Sequence, residues 1–596
     1  MNLGNGIQAS TVRTTILSGA LAGLLVGGLG GHVMATRAVV LNVIGMTGDS
    51  VLLGLYLVVI YGIVGAVAGL LIGGGLSLFG LQGRRMGGRT VFAVSLGVLA
   101  ALYLFLSGMR LYNRDLYFYD YSFIHSLTAM RVFFAARTVA MAAAAVAAGY
   151  ALFRLSRRAP SFTALGLIVV VGALGLVLNL TGREPERITT SRLPVVERDA
   201  GIPKILLIGW DGATWTVMNR LLDAGAMPNT RRLTERGTFG NLKSPSGTVS
   251  ADIWTRIYTG KDKSKHGIYG FDYYRVPGLS RPIVPPWRGL GVARLLSFLR
   301  RERWIETVIA NRTLCRATPV WRIMNDMGRT AGVVGPLISW PAEAVEPFLI
   351  SSTAGDIAER VREDATDLEA FLGSDLYYPS NLDDDIVSSI LKAARWRDEV
   401  GVPLYRTYRP DFFTIYFEEP DRTQHFRWKW MEPRYYSGVT EEDLARYGGA
   451  IEREYVLADS LLGEFLRIAG DSTTILVTSD HGFSPTYRGG PQQAGHYGGP
   501  DGILIAAGPA VRQGARLIDA HVRDIAPTLL ALGGLPVADD MDGRVLVEII
   551  APDFLEMYPV QRTPTYETGT LATTVRRSGA TDGLYEKLRA LGYVGG

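Results

Sequence analysis

Cysteine is all but absent from this sequence: one residue, Cys315, in a chain of 596. An internal disulfide is therefore excluded, and so are a zinc ribbon and a Cys-rich secreted scaffold. Residues 1–182 also lack lysine and glutamate altogether, holding 12 arginines against 3 aspartates. The net charge of +5 thus divides into +9 at the front and −4 over the rest of the chain. That division excludes an ordinary soluble protein, a disordered chain and a nucleic-acid binder with a basic folded domain. No nucleic-acid partner is expected.

The front third is built instead from long apolar runs. Five of them, Thr14–Met34, Val51–Phe79, Val91–Leu106, Val132–Phe153 and Phe162–Leu180, are apolar enough to be read as membrane spans, which need roughly 20 residues to cross about 30 Å of hydrocarbon. The first looks like a signal peptide, with Arg13 before it and Val33-Met34-Ala35 after it, but four further spans make it a retained helix. Arg137 falls inside the fourth and is expected to snorkel to the interface. Basic residues of short loops stay on the cytoplasmic side. Arg84, Arg85 and Arg89 follow the second span, and Arg154, Arg157 and Arg158 the fourth. The expectation is a multi-pass helical domain over residues 1–182 in the cytoplasmic membrane, with the N-terminus inside. A linker, 183–202, then lifts a catalytic domain into the periplasmic or extracellular space. Gly27-Gly28-Leu29-Gly30-Gly31 and Gly73-Gly74-Gly75 predict close helix packing, in an anchor rather than a transporter.

From Lys204 the pattern changes to short apolar runs alternating with helical periodicity, which predicts an α/β fold with a mostly parallel sheet and helices on both faces. Strands are predicted at Lys204–Ile208, Asp411–Phe417 and Thr474–Thr478. A helix is predicted over Thr214–Ala224, another through Ile451, Tyr455, Ala458, Leu462 and Phe465, and a third near Asp524, where Pro527 suits a first turn. Ligands in such sheets bind beyond the carboxyl ends of the strands. Asp211, Asp421 and Asp480 all fall there, with His425, His481 and His496 close behind in sequence. Asp and His together are the ligand set for zinc or manganese, and two such ions about 3.5–4 Å apart clamp an in-line phosphoryl transfer. Each of these residues alone is more often a cap or a surface group, so the joint pattern carries the reading.

The motifs Ile208-Gly209-Trp210-Asp211-Gly212-Ala213, Trp254-Thr255-Arg256-Ile257-Tyr258-Thr259-Gly260-Lys261, Lys265-His266-Gly267-Ile268, Asp421-Arg422-Thr423-Gln424-His425 and Ser479-Asp480-His481-Gly482-Phe483 resemble the type I phosphodiesterase and nucleotide pyrophosphatase branch of the alkaline phosphatase superfamily, in particular its bacterial phosphohydrolase or phosphomutase-like members. The resemblance covers Pro203–Val547 in ordered pieces, and the tail Lys587–Tyr593 is also similar to that branch. It implies an alkaline-phosphatase-like catalytic domain over 203–550, a substrate-covering insertion at about 274–410 and a C-terminal extension, 551–596. It implies two divalent ions, zinc or manganese, one held by Asp211, Asp480, His481 and the nucleophile, the other by Asp421, His425 and His496. In the superfamily the nucleophile is a Ser or Thr nine residues before the Thr of the Thr-Gly pair, and counting back from Thr259 gives Ser250. Thr248 is the reserve candidate. Ser250 also suits the N-cap of the helix that follows.

Two departures narrow this. Nucleotide pyrophosphatases of the branch carry an Asn three residues after the nucleophile, and Ile253 stands there, so nucleotide preference does not carry over. Cys315-Arg316-Ala317-Thr318-Pro319 lacks the spacing of a sulfatase nucleophile. Within the insertion, Val292, Leu295, Leu296 and Leu299 form an apolar helix face flanked by Arg294, Arg300, Arg301 and Arg303, suited either to anionic lipid or to the enzyme's own core. His266 is expected to support the loop beside the nucleophile, and His521 to be structural. The leading function is a membrane-anchored phosphohydrolase or phosphodiesterase working through a phosphoserine, on a phosphate ester that is free or lipid-linked. The alternative is transfer of a phospho-head-group onto an envelope lipid or glycan. Oligomeric state is left open.

Overall fold

Three apolar runs become neighbouring strands because each is buried on both faces, the mark of a parallel sheet covered by helices on either side. In the computed structural model the described residues are 16–17, 19–24, 26–28, 48–80, 199–245, 249–284, 299–351, 400–436, 438–484 and 500–567. They belong to two compact units, one formed by residues 1–186 with 274–307 and the other by 187–273 with 308–596.

The first unit contains α1, Gly48–Gly80. Its window Leu55–Ile72 has a mean hydropathy of 2.5 and is, among the described residues, the one helix long and apolar enough to cross a membrane. Apolar side chains such as Leu55, Val59, Ile63, Val64 and Leu71 are exposed around it, as in a helix made for an apolar solvent. A shorter apolar helix, Gly19–Gly28, packs on α1 through glycines. A Cβ added at Gly65 would lie 2.0 Å from the carbonyl oxygen of Gly23, and one at Gly69 equally close to that of Gly19. The close packing expected from the small residues is present here. The third, fourth and fifth expected spans lie outside the described residues, as does most of the linker.

In the second unit β1 (Lys204–Trp210), β2 (Thr238–Leu242), β5 (Ala331–Val334), β6 (Pro347–Ile350), β7 (Phe412–Phe417), β8 (Thr473–Thr478) and β9 (Gly502–Ala507) form one seven-stranded sheet; β3 (Asp272–Arg275) and β4 (Glu306–Ile309), whose residues are divided between the two units, pair with each other. The spatial order is β2-β9-β8-β1-β7-β5-β6. Only β9 runs against its neighbours, so the sheet is mostly parallel, as expected. β1 sits between β8 and β7, with Gly209 opposite Thr478 and Trp210 opposite Phe417. The carboxyl ends of these three strands are therefore level and adjacent.

The helices that flank them are α2 (Trp215–Asp223), α3 (Pro228–Arg236), α4 (Ser250–Thr259), α5 (Lys263–His266), α6 (Val320–Asp326), α7 (Glu419–Met431), α8 (Glu441–Tyr447), α9 (Ala450–Ala469) and α10 (Ile525–Leu532). Thr214 caps α2 by accepting from the Thr216 amide, and α9 buries the expected Ile451, Tyr455, Ala458, Leu462 and Phe465. One apolar cluster lies on each face of the sheet: Leu207, Trp254, Leu476 and Leu530 on one side, Leu206, Ile208, Ile415 and Phe465 on the other.

The stretch 274–410 is not wholly a covering insertion. β5 and β6 extend the central sheet beyond β7. These strands are four residues long, too short for period-two alternation to declare itself. Residues 352–399 and the arginine-flanked segment 285–298 lie outside the described residues.

Candidate active site

Each predicted acidic residue at a strand end has one carboxylate oxygen engaged by its own surroundings and the other turned to a common point. Asp211 follows β1, and its Oδ2 accepts from Trp254 Nε1 at 3.1 Å and from the Tyr416 hydroxyl. Asp480 follows β8, and its Oδ1 accepts from the Gly212 amide at 3.1 Å. Asp421 lies in the first turn of α7, with its Oδ2 3.3 Å from His425 Nε2 one turn on. The remaining oxygens, Asp480 Oδ2, Asp211 Oδ1 and Asp421 Oδ1, lie 3.3, 3.5 and 3.9 Å from one atom, His481 Nε2. Asp211, Asp421, Asp480 and His481 are all buried.

The protonation of His481 follows from its other nitrogen. Nδ1 lies 3.1 Å from the Gly482 carbonyl oxygen, which only accepts, so Nδ1 carries a proton. In the neutral ring Nε2 then presents a lone pair to three carboxylate oxygens. Such a cluster of acceptors in a buried place calls for a cation. Burial first, then the charges of Asp480 and Asp421, push the Asp211 carboxyl well above the ordinary carboxylate range, against the hydrogen bond from Tyr416. Donor atoms of Asp211, Asp421 and His481 lie within 4.8 Å of one another, and carboxylate with imidazole suits zinc or manganese. The residues fit a divalent ion. Asp421, expected in the second metal set, is drawn into the first as well, its two oxygens facing His481 and His425.

Ser250 joins this cluster. It opens α4, and its Oγ is 3.2 Å from His481 Nε2 and 3.5 Å from Asp211 Oδ1. It is not the cap: Val249, in extended backbone, holds that position and no side chain caps the helix. The hydroxyl is thereby turned to the metal-type ligands, at a helix N-terminus of the kind that suits phosphate oxygens. Thr248 and His496 lie outside the described residues. The structure brings together Asp211, Ser250, Asp421, His425, Asp480 and His481.

Glycines make the geometry possible. Gly212 has φ +68°, a left-handed value, and a Cβ there would lie 2.9 Å from Asp421 Cβ. At Gly209 it would lie 2.6 Å from the Trp254 ring.

Behind the site, Gln424 donates to the Gly212 carbonyl at 2.9 Å and accepts from Tyr455, whose hydroxyl oxygen also accepts from the Thr214 amide. His266 is buried and accepts at Nδ1 from Ile268 N, so its Nε2 carries the proton toward Asp252 Oδ1, 3.2 Å away. Burial alone would raise the Asp252 carboxyl, but Arg256 and His266 hold it well below the ordinary range. His266 therefore supports the turn after α4, as expected, and does so through α4 itself. Sequence reading missed Trp254, Tyr416 and Gln424. Only Trp254 carried a signal, one helical turn after Ser250.

Residues 205–494 match the family model for type I phosphodiesterase / nucleotide pyrophosphatase. Among curated proteins, the 2,3-bisphosphoglycerate-independent phosphoglycerate mutase of Cereibacter sphaeroides is 43% identical over 89 residues, 14% of this chain and 16% of the mutase. That of Agrobacterium fabrum is 35% identical over 79 residues, 13% and 15% of the two chains. This chain thus spans about a sixth of the length of the curated relatives it matches. Among solved structures, phosphonoacetate hydrolase from Sinorhizobium meliloti 1021 is 22% identical with a TM-score of 0.33, covering 49% of this chain and 60% of that one. Murine ectonucleotide pyrophosphatase / phosphodiesterase 5 is 14% identical with a TM-score of 0.33, covering 56% and 96%. The matched segment, just under half of the chain, holds Asp211, Ser250, Asp421, His425, Asp480 and His481, and it is similar to the type I phosphodiesterase / nucleotide pyrophosphatase family of phosphoric ester hydrolases.

Proposed function

We propose that this chain is a membrane-anchored, metal-dependent phosphodiesterase or phosphohydrolase that works through a phosphoserine at Ser250, with its catalytic domain outside the cytoplasmic membrane. The observation that carries the chemistry is the convergence of Ser250 Oγ and one oxygen each of Asp211, Asp480 and Asp421 on His481 Nε2. Asp211, Asp480, Asp421 and His481 would hold a first divalent ion with Ser250, and Asp421 with His425 and His496 a second. Such ions, zinc or manganese by their ligands, favour the alkoxide form of a hydroxyl and neutralise charge on a departing oxygen.

Ser250 Oγ attacks phosphorus, the bond from phosphorus to the leaving alkoxide breaks, and the amides at the start of α4 receive the non-bridging oxygens. Water then cleaves the phosphoserine and restores the hydroxyl. Ile253 offers no side-chain donor to the phosphate, so a preference for nucleotides is not carried over from the family. The exposed apolar helix α1 and the arginine loops of residues 1–182 support the membrane anchor and the outside location, and a lipid-linked ester is the substrate such an anchor would favour.

A second acceptor gives the competing reading. The curated relatives are named as mutases, and a phosphoserine attacked by an alcohol in place of water yields a transferase for an envelope lipid or glycan. The test is turnover of a chromogenic phosphodiester and its matching monoester by the full chain in detergent, stripped of metal and reloaded with zinc or manganese. Turnover restored by metal and lost in Ser250→Ala supports the mechanism. Metal-restored turnover that survives Ser250→Ala sinks it. Release only when an alcohol acceptor is added identifies the transferase.

A further inference from the structure

We propose that Tyr416 and Trp254 are positioning residues that reserve Asp211 Oδ1 for the metal and make Asp211 a one-oxygen ligand. The inference rests on the metal reading above and deepens it. A carboxylate next to a divalent ion has two ways to bind, through one oxygen or both, and the choice sets the coordination number and the room left for substrate. At Asp211 the second oxygen is already engaged. Trp254 Nε1 donates to Oδ2 from α4 at 3.1 Å, and the Tyr416 hydroxyl donates to the same atom from β7. Oδ2 thus accepts from two donors, as many as its lone pairs, while Oδ1 faces His481 Nε2 and Ser250 Oγ.

The donors are themselves held. The Trp254 and Tyr416 rings meet edge to face, centroids 5.0 Å apart at 78°. Trp254 also packs on Tyr258, and Tyr258 on Trp321 of α6. All four rings are buried. The indole lies over Gly209, where any Cβ would come within 2.6 Å of it. The glycine of the Ile208-Gly209-Trp210-Asp211 motif thus provides the space from which Trp254 reaches Asp211. Because Trp254 is on the same helix as Ser250, the clamp also fixes the nucleophile relative to the carboxylate it faces.

The test uses the full chain in detergent, stripped of metal, then titrated with zinc against a chromophoric chelator, with X-ray absorption at the zinc edge counting the oxygen ligands. Tyr416→Phe and Trp254→Phe are each expected to weaken zinc binding by about 10- to 100-fold, the range for partners that orient a metal ligand, and to add an oxygen ligand as Asp211 turns to bind through both. Tyr258→Phe removes a hydroxyl from the same ring cluster without touching Asp211 and is expected to leave affinity and ligand count unchanged. Wild-type affinity and ligand count in Tyr416→Phe and Trp254→Phe, alongside weakened binding in Asp211→Asn, would overturn the clamp and leave the metal site standing. A wild-type chain that takes up neither zinc nor manganese overturns the metal reading, and the clamp with it.

Discussion

Ser250 Oγ lies 3.2 Å from His481 Nε2, although 231 positions separate them in the chain. The distance follows from two local facts. Ser250 opens a helix without capping it, and His481 is turned by the bond from its Nδ1 to the Gly482 carbonyl.

Because Val249 and not Ser250 is the cap, removing the hydroxyl should separate function from stability. Ser250→Ala is expected to lower phosphodiester turnover by about 10³-fold or more, as loss of an essential nucleophile does, while the thermal midpoint of the metal-free protein stays within about 1 °C of wild type. Loss of a capping hydroxyl would cost about 1 kcal/mol, a shift of about 1–2 °C in a domain of this size. Melting curves of the two proteins in chelator decide it.

Three buried carboxylates converging on an imidazole are stabilised by a cation. Adding zinc at about 100 times its dissociation constant should stabilise the catalytic domain by about 2.7 kcal/mol through mass action. Asp480→Asn keeps the acceptor for the Gly212 amide but removes a charge from the ligand set, so the gain on adding zinc is expected to shrink. Differential scanning fluorimetry with and without metal measures both. Equal gains in wild type and variant would remove Asp480 from the site.

Asp459 supplies what α3 lacks at its own N-terminus. From α9 its carboxylate accepts from the amides of Asn229 and Thr230 and from Asn229 Nδ2, at 3.2, 2.7 and 3.1 Å. Met227, at the cap position, makes no side-chain bond. Asp459→Ala leaves the buried Thr230 amide without its acceptor and should cost about 1–2 kcal/mol. Asp459→Asn should cost less. Urea midpoints at unchanged slope are the check.

The stability at the start of α10 should depend on pH. Burial raises the Asp524 carboxyl above its ordinary value, against the amides of Arg544 and His521 that it accepts from. A raised folded-state value means that the folded protein binds this proton more tightly than the unfolded chain. The contribution is fully present below the ordinary carboxylate range near about 4 and is lost as pH rises through the higher folded value. Asp524→Asn sacrifices one acceptor at every pH but does not titrate. Its thermal midpoint should therefore gain on wild type as pH rises from about 4, and parallel curves would show that Asp524 does not carry the dependence.

Much of the site was legible because it depends on strand ends. Lys204–Ile208, Asp411–Phe417 and Thr474–Thr478 are apolar runs too continuous for surface strands, and an acidic residue just beyond such a run has one available place, the carboxyl edge of the sheet. What lay beyond reading was lateral. Nothing in the run Phe412–Phe417 distinguishes Tyr416 from its neighbours as the residue whose hydroxyl meets Asp211, since strand aromatics are ordinary core residues. β5 and β6 were hidden for a different reason: strands of four residues owe their existence to the pairing edge that β7 offers. Ser250 as a cap was a sound local reading, displaced because Val249 takes the extended backbone that a cap requires.

The order β8-β1-β7 also governs when the site comes into being. Asp211, at the end of β1, leaves the ribosome 205 residues before Tyr416, and its neighbour Gly212 leaves 268 before Asp480. At a synthesis rate of about 5–20 residues per second, β1 waits on the order of ten seconds or longer for its neighbours. Pairing with β7 brings Asp421 beside Asp211, and only when β8 has paired as well are all three acidic groups together. On the metal reading proposed above, an ion held by all three carboxylates would be captured only after the central strands have closed.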